Sequence, residues 1–99
     1  MTISDITPRI AEKDAAAQPA VVVYGRTECV QCDRTTKLMD REHIPYTYVN
    51  VDHDETAANY VRTAFEKTQL PAVEVHQGDS LSQWQGFNPA LIMALRAAA

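Results

Sequence analysis

Four residues in a row, Val21, Val22, Val23 and Tyr24, form an unbroken apolar run that is β-branched or aromatic throughout. A run without alternation predicts a strand covered on both faces. Gly25, Arg26, Thr27 and Glu28 then break the pattern and predict a loop. From about Cys29 to Glu42 the period becomes helical. Cys32, Thr35, Thr36 and Met39 share one side, while Asp33, Arg34, Lys37 and Arg41 take the wetter positions. Asp33 near the start and Arg41 near the end suit the helix dipole. Ile44-Pro45 is expected to end the helix, because a residue before proline avoids the helical region. Tyr46 to Val51 reads as a second strand.

Asp52 to Glu55 predicts a polar loop with Asp54 as the cap of a second helix. Its apolar stripe is Ala57, Tyr60, Val61, Ala64 and Phe65. Leu70-Pro71 leads into a third strand, Ala72 to His76, and Gln77-Gly78-Asp79 is turn material. Leu81 to Gln85 makes a short fourth strand. Asn88-Pro89 is a cap with proline at the first helical position, opening a last helix with Leu91, Ile92 and Leu95 inside. The order is β-α-β-α-β-β-α, an α/β class with four strands and three helices. Strand-helix-strand spacing of about twenty residues predicts a parallel pair joined by a right-handed crossover. Residues 1–19 are expected to be an N-terminal extension, a tail or short helix capped at Thr7-Pro8, before one domain over residues 20–99.

The composition narrows the functions. Ninety-nine residues suffice for a single core, with 45% apolar and 22% charged residues and a net charge of -4. The absence of a basic patch argues against nucleic acid. No apolar run approaches the roughly 20 residues of a membrane span. With no secretory signal at the start, the expected compartment is the cytoplasm.

There the two cysteines matter most. Cys29 and Cys32 stand three apart at a predicted helix start, so both sulfurs share a face. Unpaired backbone N–H groups there favour a thiolate at Cys29, drawing its pKa from ~8.5 toward ~7. Cys29 is therefore the candidate nucleophile, and Cys32, deeper in the helix, the resolving thiol. A structural disulfide is a poor rival, since so small a ring restrains the unfolded chain little. A metal site is a second rival. Zinc usually takes four ligands, and His43, His53 and His76 fall in separate segments without ligand spacing. No bound metal or cofactor is expected. Asp52, Asp54 and Glu55 read as a capping loop. Arg26, near Cys29, either lowers the thiol pKa or is a solvated loop residue.

Three separated motifs carry a family resemblance. Tyr24-Gly25-Arg26-Thr27-Glu28-Cys29-Val30-Gln31-Cys32 resembles the Cys-Val-Gln-Cys segment of the NrdH redoxins, glutaredoxin-like members of the thioredoxin superfamily. Gln69-Leu70-Pro71-Ala72-Val73 is similar to their Gln-Leu-Pro-Val-Val. Trp84-Gln85-Gly86-Phe87-Asn88-Pro89 resembles Trp-Ser-Gly-Phe-Arg-Pro, with Gln85 and Asn88 as departures. The resemblance implies a thioredoxin/glutaredoxin-like fold with a mixed four-stranded sheet, and a thiol-disulfide carrier; a monomer is expected. It would run between thioredoxin reductase and class Ib ribonucleotide reductase. By itself Pro71 would be expected trans, since about 5–6% of such bonds are cis. The resemblance implies cis, with the Leu70 backbone facing the sulfurs. Val30, Gln31, Trp84, Gly86 and Phe87 are expected to meet the partner. Two alternatives stay open: a glutathione-dependent glutaredoxin, and a non-catalytic module holding metal or an iron-sulfur cluster. Against the first, Gly86-Phe87-Asn88 is uncharged where glutathione-using members carry an acid.

Overall fold

The computed structural model describes residues 19–98; the expected extension over residues 1–19 lies almost wholly outside them. The elements are β1 (Ala20–Gly25), α1 (Val30–Arg41), β2 (Thr47–Asn50), a 3-10 turn (Val51–His53), α2 (Glu55–Ala64), β3 (Ala72–Gln77), β4 (Ser80–Gln85) and α3 (Pro89–Ala98). The strands form one mixed sheet in the order β2-β1-β3-β4. The first strand-helix-strand unit makes the parallel pair, β1 with β2, in the register Tyr24 to Val49. The second does not. The chain carries β3 to the far side of β1, where it runs antiparallel, Val23 opposite Val73. β4 returns beside it through the turn at Gly78, whose φ of +60° glycine tolerates.

Each face of the sheet has its own core. Alternate residues of β1 and β3, Val21, Val23, Val73 and Val75, meet Leu38 and Met39 of α1 and Ile92 and Leu95 of α3. The opposite face packs Val61 of α2 and Phe65, its C-cap, against Ala72, Tyr24 and Leu70. Helix α1 stops before the predicted proline signal. Glu42 N–H bonds back to Leu38, and His43 turns left-handed at a φ of +58°. Asp54 caps α2 as expected, its Oδ1 accepting Ala57 N–H at 3.0 Å.

Tyr60 corrects the sequence reading. Placed by periodicity in the buried stripe of α2, it is 38% exposed, because its hydroxyl reaches back to a carboxylate. That carboxylate is Glu74, in the middle of β3 and 3% exposed. It is tolerated there because partners surround it. Tyr60 donates to Oε2, Gln83 Nε2 bonds the same oxygen at 3.1 Å, and His76 Nε2 lies 3.2 Å from Oε1. The hydrogen bond to Glu74, then burial, then the Glu74 charge push the Tyr60 phenol from 10.0 up to about 12. A folded pKa above the unfolded value means this stabilisation is whole below pH 10 and is lost as pH rises through about 12. Tyr60→Phe should therefore flatten the alkaline decline of the urea midpoint between pH 10 and about 12. A variant with the wild-type slope would show that the phenol is not coupled to folding.

Candidate active site

Every part of the site hangs on the junction of β1 and α1. Cys29 is the N-cap of α1, with extended backbone, and its carbonyl accepts the first helical hydrogen bond, from Asp33 N–H at 3.0 Å. Its sulfur accepts Cys32 N–H at 3.1 Å. The two cysteines are joined as a disulfide, with Cα atoms 5.2 Å apart. The pair is asymmetric. Cys29 is half-buried, whereas Cys32, one turn into the helix, is 2% exposed and belongs to the core. On reduction, negative charge at Cys29 would keep the Cys32 N–H and the helix end as its donors.

An open groove of about 700 Å³ runs beside the disulfide. Arg26, Cys29, Val30 and Cys32 of the predicted set line it. Val30, 68% exposed, is an apolar prow between the sulfurs. Arg26 reaches Thr27 O with Nη1 at 3.5 Å, which leaves its guanidinium within its own loop. The groove also includes Asp33, Thr36, Tyr46 and Tyr48, which sequence reasoning missed. The alternation of Tyr46, just before β2, with Tyr48 inside it was the available signal. Tyr48 has its phenol pKa raised, first by burial and then by Asp33 and Asp52. Tyr46 is raised chiefly by burial and by its hydrogen bond to Asp40.

The Leu70–Pro71 bond is cis. Pro71 is buried, and its carbonyl accepts Gly86 N–H at 2.8 Å, which ties the proline loop to the end of β4. Gln85 reinforces that tie by donating to Lys67 O at 2.6 Å and Gln69 O at 3.0 Å. Gln31, between the cysteines, accepts Phe87 N–H at 3.1 Å. It thus links the active-site helix to the Gly86-Phe87 loop. Gly86 is required there: its φ is +87°, and a Cβ would stand 2.9 Å from Gln69 Nε2. Gln31, Gly86 and Phe87 therefore join one another, and the groove lies on the other flank of the disulfide. Trp84, like Phe87, is only partly buried. Its ring packs on the α1–α3 core, with Nε1 buried and lacking a partner among the described residues. Register explains this, since Trp84 stands opposite Val73, a core position. Among the described residues no group of three or more His, Cys, Asp or Glu side chains could hold a metal ion.

A family model described as Glutaredoxin matches residues 21–79. The glutaredoxin-like protein NrdH of Escherichia coli K12 is 35% identical over 78 residues, which span 79% of this chain and 90% of that protein. The protein of the same name from Salmonella typhimurium LT2 is 36% identical over 76 residues, or 77% and 88% of the two chains. The solved structure of E. coli NrdH-redoxin matches with a TM-score of 0.66 at 34% identity, covering 77% of this chain and 93% of that one.

Proposed function

The chain belongs to the glutaredoxin family, among the glutaredoxin-like proteins called NrdH, and is a thiol-disulfide oxidoreductase; from that premise we propose that it carries electrons from thioredoxin reductase to a protein disulfide, that of class Ib ribonucleotide reductase. The supporting observation is the asymmetric disulfide, with one sulfur accepting a helix N–H at the surface and the other buried behind it. In the reduced protein the Cys29 thiolate attacks a target disulfide. It forms a mixed disulfide and expels one target thiolate. Cys32 then gives up its proton and attacks Cys29 Sγ, releasing the second target thiolate and closing the Cys29–Cys32 bond. Two electrons pass to the target, and the reductase returns two from NADPH. Cis-Pro71 holds the Leu70 backbone for an extended target segment, with Arg26 at the opposite flank. Val30 and Phe87 supply the apolar contacts, and Gln31 and Gly86 fix their loop. We place this monomeric carrier in the cytoplasm; no helix among the described residues is long and apolar enough to cross a membrane.

Thioredoxin reductase is preferred over glutathione for a local reason. Asn88, at the position where glutathione-using relatives carry an acid, is uncharged, and its Oδ1 is engaged by Leu91 N–H at 3.0 Å as the cap of α3. A glutathione amine there loses a charge-assisted bond, which corresponds to about tenfold or more in affinity. The E. coli NrdH-redoxin is itself described as having a thioredoxin-like activity profile. NADPH consumption should run at least about tenfold faster with thioredoxin reductase than with glutathione and its reductase. The reverse ratio would reassign the chain to the glutathione-dependent glutaredoxins.

A further inference from the structure

The residue just before the nucleophile holds an unusual backbone. Glu28 has a φ of +56°, a left-handed conformation that a non-glycine residue adopts at some cost. Such a conformation persists where its surroundings over-determine it. The surroundings here come from β2 and the turn after it. Tyr48, Asn50 and Asp52, alternate positions along that segment, each bond the loop between β1 and α1. Tyr48 Oη donates to Arg26 O at 3.4 Å, Asn50 Nδ2 donates to Thr27 Oγ1 at 3.3 Å, and Asp52 Oδ2 accepts Thr27 N–H at 3.1 Å. Asn50 Oδ1 also accepts Asp52 N–H at 2.9 Å, so the middle tether orients the last. Gly25 makes room for the first. A Cβ there would fall 2.8 Å from two carbons of the Tyr48 ring.

We propose that Asp52, supported by Asn50 and Tyr48, is a positioning residue for thiol exchange: by accepting Thr27 N–H it holds the left-handed turn at Glu28 that presents Cys29 Sγ to the Cys32 N–H. Asp52 acts through the loop backbone and touches neither sulfur nor target. The inference rests on thiol exchange at Cys29 and is independent of which reductase supplies electrons.

Geometry and charge predict opposite signs, which makes the assignment testable. Removing a nearby negative charge alone eases ionisation of Cys29, so Asp52→Ala and Asp52→Asn would both quicken its reaction with iodoacetamide. Loss of the tether moves the sulfur off its donor and slows it. The reduced protein should be titrated by its alkylation rate across pH 5–9, read at Cys29 by mass spectrometry with no partner enzyme present. Asp52→Ala should shift the midpoint upward and slow alkylation at neutral pH about three- to tenfold, the scale of one ordinary hydrogen bond. Asp52→Asn, which keeps the acceptor oxygen, should match or exceed the wild-type rate. Because Asp52→Ala could also disturb folding, the supporting Asn50 tether is tested at an exposed position by Thr27→Val, which removes the Oγ1 that Asn50 bonds, and Thr27→Ser, which keeps it. The valine should shift the midpoint in the same direction, and the serine should restore it. Equal acceleration in both Asp52 variants, or no movement in Asp52→Ala and Thr27→Val, would overturn the proposal. Failure of the reductase assay with these alkylation results intact would count against the electron donor alone.

Discussion

Cys29→Ser is expected to abolish disulfide exchange, lowering turnover on the order of 10³-fold or more, while Cys32→Ser should begin the reaction and stall. The difference follows from burial. A target disulfide can reach Cys29 at the helix end but not Cys32, which is 2% exposed. Serine at 29 leaves no reachable sulfur. Serine at 32 leaves the first attack intact and removes the group that resolves it. A covalent adduct with the target should then accumulate, and a reductant should release it. Non-reducing electrophoresis with mass spectrometry checks this. An adduct from Cys29→Ser, or none from Cys32→Ser, would reverse the roles assigned to the two thiols.

Met39→Ala should give the largest loss of stability, about 2–5 kcal/mol. Met39 is fully buried at the centre of the α1–α3 face, among Val23, Val73 and Ile92. A cavity there has rigid walls, because the sheet on one side and two helices on the other cannot all close in. For a domain of this size the melting temperature should fall by about 10 °C or more. Thermal unfolding followed by circular dichroism measures it. A fall of under ~3 °C would mean that the side chain is not part of the packed core.

Local chemistry was easy to read in advance; long-range pairing was not. The helix start at Cys29, the caps at Asp54 and Asn88 and the turn at Gly78 follow from side chains acting on neighbouring backbone, and each lies where the sequence places it. The buried side of α1 was equally readable from Cys32, Thr35 and Met39. Periodicity failed at Tyr60, since an aromatic in an apolar stripe counts as core unless its hydroxyl has somewhere to go. Its destination, Glu74, sits in the next strand inside an apolar run that hides it. Strand order was beyond pattern, because two strand-helix-strand units look alike in sequence while only the first pairs in parallel. The bonds that shape the site join residues 25 and 56 positions apart, Thr27 to Asp52 and Gln31 to Phe87. No window of local sequence contains both ends of either. The cis bond at Pro71 is a similar case: the residues alone favoured trans, and only the family resemblance pointed to cis.

The depth difference between the sulfurs also bears on oxidative damage. A peroxide that reaches Cys29 would convert it to a sulfenic acid, with Cys32 on the adjoining turn. Condensation between them expels water and closes a reducible bond, which forestalls the irreversible sulfinic and sulfonic products. The buried thiol thus works as a built-in fuse, one that any reductant able to open the disulfide can reset.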